Sequence, residues 1–286
     1  MDFTEPVVND DASILPERAP KSPRISRVKF TPEGDGALLA LIRNSTFISH
    51  GQVLKLAVNL KIKRHWATVR DRLRIYQDRQ MVKVLPPVAP YSGAVYQIAK
   101  NGLHALETYG IGIGSITSKT EKLPSELQAH HFLDLNELRL SLYSDRSLSV
   151  LQWMTDPEIK DHNTTHSRAP YAKDYDAILE LKDNQGRVLK IGIEYERIYK
   201  DAARYEKINA EIQREVQLHS ILYIASSPTL RAQLVDIFPG DTFPVCVTTA
   251  SDLRKDRFDA QVFLMIDKQS RHCPFREYLK MLRLPD

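Results

Sequence analysis

The sequence predicts an α/β chain, α+β overall: an N-terminal winged helix-turn-helix followed by an α/β domain with a central mixed sheet. Three observations predict it. A basic amphipathic segment, HWATVRDRLRIYQDRQ, follows two short apolar segments of helical spacing and precedes two β-like runs, the order of a winged helix. The stretch GIGIGSITSKTEKLPSE is rich in Gly, Ser and Lys and has no periodicity, which suits a linker. Beyond it come a helix, three strand-like runs, a helix and a strand, the order of a nuclease-like core.

Composition bounds the function. The chain has 286 residues and 42% hydrophobic content, enough to build cores. No apolar run approaches the roughly 18 residues that a membrane span needs. The N-terminal MDFTEPVVNDDASILPERAP is acidic and Pro-containing, unlike a leader, so a cytoplasmic protein with no membrane partner is expected. Cys246 and Cys273 lie far apart without CxxC spacing, which argues against a disulfide framework and a zinc site. The net charge is only +4, but Lys61 to Lys83 holds eight Lys or Arg against two Asp, a local +6 that points to an acidic partner.

Residues 1–29 hold Pro6, Pro16, Pro20 and Pro23 with little periodicity and predict a flexible arm that turns basic at its end. The winged-helix domain is assigned to 30–110. GDGALLALIRNST predicts a helix with Leu38, Leu39, Leu41 and Ile42 inside, and Ser49 predicts the N-cap of HGQVLKLAV. In the third helix, His65 to Gln80, Trp66, Val69, Leu73 and Tyr76 are expected on one packed face. MVKVLPPV and YSGAVYQIA predict a hairpin, and KNGLHALETYG a helix ended by Gly110. The linker is assigned to 111–125 and the α/β domain to 126–286. There HHFLDLNELRLSLYSDR reads as a helix, LSVLQWMTD as a strand and EIKDHNTTHSRAPYAK as a polar loop. DYDAILELK and RVLKIGIEYE read as strands joined by a Gly186 turn, then AARYEKINAEIQREVQ as a helix and HSILYIAS as a strand. Helix and strand alternate from there, and the last sixty or so residues carry no motif.

Two places carry candidate chemistry. The third helix presents arginines outward, so Lys63, Arg64, Thr68, Arg70, Arg72 and Arg74 are expected on double-stranded DNA, with Lys83 of the hairpin on the backbone. DNA contact of this kind needs no cofactor. In the second place, alternation puts Glu194 and Glu196 on one strand face, and a tight turn sets Asp176 opposite Glu194. Converging carboxylates hold Mg²⁺ in phosphodiester cleavage. Glu137, Asp176 and Glu194 are the candidate metal ligands, and Asp176, Glu194, Glu196 and Lys200 the candidate catalytic set. The same acidic and basic residues also suit a solvated strand end.

Asp176 in KDYDAILEL and Glu194 in IEYER resemble the PD-(D/E)xK nuclease superfamily, in which an Asp on one strand precedes Asp or Glu, any residue, and Lys on the next. Glu196 stands where that lysine is expected, and Tyr175 where the proline would be. TPEG before the winged helix, then HHFLDLNELRLSL, DYDAILELK and IEYER, resemble the replication-relaxation family of plasmids and mobile elements, over roughly Phe30 to Ala225. That resemblance implies DNA binding in replication, mobilisation or transcription regulation, with a nuclease-like tail often lacking an active centre.

His130 and His131 are adjacent and cannot share one helical site, while His162 and His166 fall in an apparent loop. Trp66 and Trp153 read as core. No GxSxG, HExxH or GxxxxGK[ST] string is present. Two functions remain: a DNA-binding protein whose tail is a scaffold, and an Mg²⁺-dependent endonuclease targeted by its winged helix. A homodimer would suit symmetric sites, though no heptad or apolar seam commits to one.

Overall fold

Short apolar helices with one buried stripe must pack in pairs or on a sheet, and both solutions occur here. The computed structural model describes residues 30–63, 65–111, 126–166, 169–183, 185–238, 243–266 and 269–282. The expected arm 1–29, Arg64 and all of the linker except Ile111 therefore lie outside the described residues. The described residues from Thr31 onward form one compact unit that holds two sheets.

The chain enters through a π-helical turn, Pro32–Gly36, that leads into α1 (Ala37–Asn44). A short strand β1 (Ile48–Ser49) precedes α2 (His50–Asn59), whose N-terminus is closed by a capping box between Ser49 and Gln52, as the sequence predicts. α3 spans Trp66–Asp78, and β2 (Val82–Leu85) pairs antiparallel with β3 (Val95–Ile98). β1 adds to the other side of β3, and α4 (Lys100–Thr108) follows. Val69, Leu73 and Tyr76 of α3 are buried as expected.

Two residues of α3 depart from expectation for one geometric reason. At 100° per residue, Trp66 lies at the margin of the buried stripe on the Arg70 side, and Arg72 at the opposite margin beside Tyr76. Trp66 is accordingly 56% exposed rather than core. Arg72 turns inward, its Nε 3.4 Å from Oδ1 of the fully buried Asp35, which also accepts from the Tyr76 hydroxyl at 2.7 Å. Arg72 is thus paired inward and does not share the outward surface on which the sequence places it.

α5 (Glu126–Tyr143) lies between this part and the second sheet. Its Leu133 carbonyl accepts from Gln52 of α2 at 2.8 Å, and its Asn136 amide donates to the Phe47 carbonyl at 2.8 Å. Leu135, Leu138 and Leu142 cover one face of the seven-stranded mixed sheet. The strands are β4 (Ser149–Thr155), β5 (Ala177–Lys182), β6 (Val188–Glu196), β7 (Ser220–Ala225), β8 (Val245–Thr249), β9 (Gln261–Ile266) and β10 (Gln269–Pro274), adjacent in chain order. β6, β7 and β8 run parallel and the remaining pairs antiparallel. The pairing of β4 with β5 slips between Val150 and Gln152, leaving Leu151 exposed on the sheet edge.

The other sheet face is covered by α6 (Asp156–Thr165), α7 (Ala202–Ile212) and α8 (Pro228–Ile237). α9 (Ala250–Asp256) and α10 (Phe275–Met281) join α5 on the first face. α6 corrects the loop expected over HNTTH: a Thr155–Glu158 capping box and Pro157 in the first turn start a helix that its polar composition hides. His162 and His166 stack at 5.8 Å between centroids. α8, β8, α9, β9, β10 and α10 account for most of the C-terminal stretch that carries no sequence motif. Among the described residues, no helix is long and apolar enough to cross a membrane.

Candidate functional site

The acidic pocket grows from the β5–β6 register. Ala177 pairs with Ile193, so the antiparallel alignment carried one step further sets Asp176 against Glu194, as the alternation predicts. The Tyr195 amide donates to Asp176 Oδ2 at 2.7 Å and locks that arrangement. On β6, Leu189, Ile191, Ile193 and Tyr195 join the α5-side core, which leaves Gly192, Glu194 and Glu196 on the opposite face. Gly192 is needed there. A Cβ at this position would stand 2.8 Å from Leu218 Cδ1 and 3.2 Å from Tyr175 Cδ1.

The turn before Asp176 is held from a distance. Glu215 accepts from the Ala172 amide at 3.0 Å and from the Tyr175 hydroxyl at 2.9 Å, and Tyr175 is fully buried. This clamp carries Lys173 to the carboxylates, its Nζ 2.6 Å from Glu194 Oε1. Lys200, just past β6, pairs with Glu196, and His131 of α5 reaches Asp176 Oδ1 at 3.1 Å. The His131 ring stacks on Tyr195 at 5.5 Å. Asp176, Glu194, Glu196, Lys200, His131 and Arg204 line one cavity of about 640 Å³.

Burial raises the Glu194 carboxyl to about 7, against the opposing pull of Lys173 and with a further push from Asp176. Burial also raises Glu196, partly offset by Lys200. Burial alone would lower Lys173, but the Glu194 carboxylate outweighs it and the ammonium is held charged. Burial pushes Asp176 up, but the hydrogen bond and charge of His131, the Tyr195 amide and Lys173 together hold it below its ordinary value, and His131 is raised by Asp176 against its own burial. The pocket therefore sets the Lys173 ammonium against a Glu194 carboxyl that its surroundings push up to about 7.

Of the sequence-predicted residues, Asp176, Glu194, Glu196 and Lys200 meet in this cavity. Glu137 does not. It accepts from Gln52 Nε2 at 3.2 Å and lines a separate cavity with Lys55 and Trp66, because α5 carries it one and a half turns beyond His131 on another side of the helix. Lys173 and His131 are functional candidates the sequence reading missed. Lys173 arrives through the loop clamp, which has no local signature, and His131 reaches the pocket alone, without its neighbour. Lys190 pairs instead with Glu180 at 3.8 Å, further down the sheet.

The cation set expected on DNA is divided. Thr68, Arg70, Arg74 and Lys83 are exposed, Lys63 is half-buried, Arg72 is paired inward, and Arg64 lies outside the described residues. Tyr91 of the hairpin loop faces inward as well, its hydroxyl donating to Asp134.

Oxygen donors of this kind suit Mg²⁺, but here they are largely committed. Both Asp176 oxygens and one oxygen each of Glu194 and Glu196 bond protein donors. Among the described residues no three His, Cys, Asp or Glu side chains are arranged to hold a metal ion. As arranged, the donor set does not fit the divalent ion that the carboxylate pattern implies. Comparison with family models, with curated proteins and with solved structures finds no match to the chain.

Proposed function

We propose that the chain binds double-stranded DNA through the outward side of α3, with the β2–β3 hairpin as a wing, and that its acidic pocket is a nuclease-type core of PD-(D/E)xK build serving as a scaffold. The observation that carries the proposal is α3 itself: Val69, Leu73 and Tyr76 are fully or almost fully buried, while Thr68, Arg70 and Arg74 are exposed on the remaining surface. A helix fixed in this way can enter a major groove with its guanidinium groups toward phosphates and base edges. The order α5, β4, β5, β6, α7, β7, interrupted by α6 between β4 and β5, with Asp176 and Glu194 at one end of adjacent strands, supports the nuclease-type reading of the second part. Own-chain partners on all three carboxylates, Lys173, Lys200 and the His131 ring, support a scaffold over a working centre. The setting would be replication, mobilisation or transcription control of a mobile element.

Fluorescence anisotropy on labelled duplex DNA across a salt series tests the binding. R70A/R74A is expected to weaken it and to reduce the log K against log salt slope by about 2, about 1 for each phosphate contact removed. Unchanged affinity and slope would refute the assigned surface. The second reading, Mg²⁺-dependent cleavage, is favoured by one observation, the Lys173 ammonium placed against Glu194. Nicking of supercoiled plasmid with Mg²⁺ or Mn²⁺, abolished by D176A and E194A, would replace the scaffold reading with it.

A further inference from the structure

We infer a binding site for a single unpaired nucleobase at Trp66, a site that rests on the DNA-binding reading and extends it beyond the duplex groove. Three ridges line it. Lys55 and Asn59 follow at four-residue spacing on α2; Glu137 and Ser141 follow at four on α5, with Ser144 just past its end; and Trp66 opens α3. The depression is about 340 Å³ and open to solvent on one side, with Leu140 and Val58 adding apolar lining. That is within the roughly 300–1,000 Å³ range of small-molecule pockets.

The lining fits a nucleobase. Trp66 is 56% exposed, and an exposed indole face stacks any base. The Asn59 amide offers a donor and an acceptor for a base edge, the Ser141 and Ser144 hydroxyls, whose protons go to the Glu137 and Ser141 carbonyls, can accept, and Glu137 Oε1 can accept from an exocyclic amine while Oε2 holds Gln52. Lys55 supplies a cation for the attached phosphate.

Position favours a nucleic-acid strand over a peptide. Trp66, Arg70 and Arg74 succeed one another at four-residue steps, so the tryptophan ends the arginine ridge of α3. A strand whose phosphates follow Arg74 and Arg70 is delivered to Trp66. A base in the duplex stack cannot enter the cavity, so the occupant is an extruded or single-stranded base.

Trp66 reports its own occupancy once the other tryptophan, the buried Trp153, is changed to phenylalanine. In a W153F chain, a single-base bulge in duplex DNA, or oligothymidylate, is expected to quench Trp66 emission saturably, whereas the matched duplex quenches it far less. W66A is expected to weaken bulged-DNA binding by about 5- to 150-fold beyond its effect on matched duplex, and W66F to retain most of the preference. Equal loss on bulged and matched DNA, or no quenching by either probe while the matched duplex still binds, would overturn the base site and leave the duplex reading standing. Failure of all three DNAs to bind would overturn both. A W66-dependent dimer in sedimentation, insensitive to DNA, would show the cavity to be filled by a second copy instead.

Discussion

The Lys173 ammonium stands 2.6 Å from Glu194 Oε1, although 21 residues separate them in sequence. Both are largely buried, so neither is easily left alone. Removing one partner of such a pair costs about 3–5 kcal/mol, whereas replacing both by neutral groups of similar shape costs much less. K173M is therefore expected to lower the midpoint of urea denaturation strongly, E194Q also, and K173M/E194Q less than the sum of the two. A double-mutant cycle in urea checks it, and strict additivity would refute the pairing.

The same pocket sets a pH dependence. Glu194, raised to about 7, binds a proton more readily folded than unfolded, so its contribution is present at low pH and is lost as pH rises toward 7. His131 is also raised, so its contribution is complete below its unfolded value of 6.5 and is lost as pH rises through the folded value. Asp176 is lowered and acts in the other direction, with stability lost only in acid as pH falls through its folded value. Tm is thus expected to decline from pH 6 to pH 8 and to decline less in H131N and in E194Q. Calorimetric scans across that range decide it.

Asp134 on α5 joins three elements. It accepts from the Tyr195 hydroxyl of β6 at 2.7 Å, from Arg254 Nη2 of α9 at 2.7 Å, and from Tyr91 in the hairpin loop. D134A strands two hydroxyls and a guanidinium at once, and should cost about 3 kcal/mol or more. Y91F and Y195F should each cost less, about 1 kcal/mol. Urea titrations of the three variants measure this ranking, and equal losses would refute it.

Arg72 and Arg70 make a matched control. R72A removes the partner of the buried Asp35 and is expected to lower Tm with little change in the salt slope of DNA binding. R70A is expected to do the reverse. A thermal melt and a salt series on each variant separate the two roles.

G192A tests the close approach behind the pocket. The added methyl must displace Leu218 or Tyr175, with a cost of about 1–3 kcal/mol from overpacking. A melt that matches the parent chain would mean that the loop carrying Lys173 yields freely.

What the sequence made legible follows the range of each interaction. Alternation in DYDAILELK and RVLKIGIEYE is local, and it suffices to set Asp176 opposite Glu194 and to turn Glu196 to the same face. Ser49 announced its helix because a cap is also local. Lys173 was not legible, since its place depends on a Tyr175–Glu215 hydrogen bond across 40 residues. α6 was hidden because its start is fixed by a capping box while its body lacks an apolar stripe. Trp66 and Arg72 were misplaced because both stand at margins of the α3 stripe, where the direction of a side chain is decided by what packs beside it.

The slip at Leu151 bears on how copies of this chain can meet. An open seven-stranded sheet ends in strands whose outer backbone groups invite further pairing. At β4 the bulge interrupts the regular spacing of those groups and swings an apolar side chain into solvent. Continuous strand-by-strand growth from that margin is therefore blocked. Any pairing of two copies through this sheet would have to avoid the β4 margin.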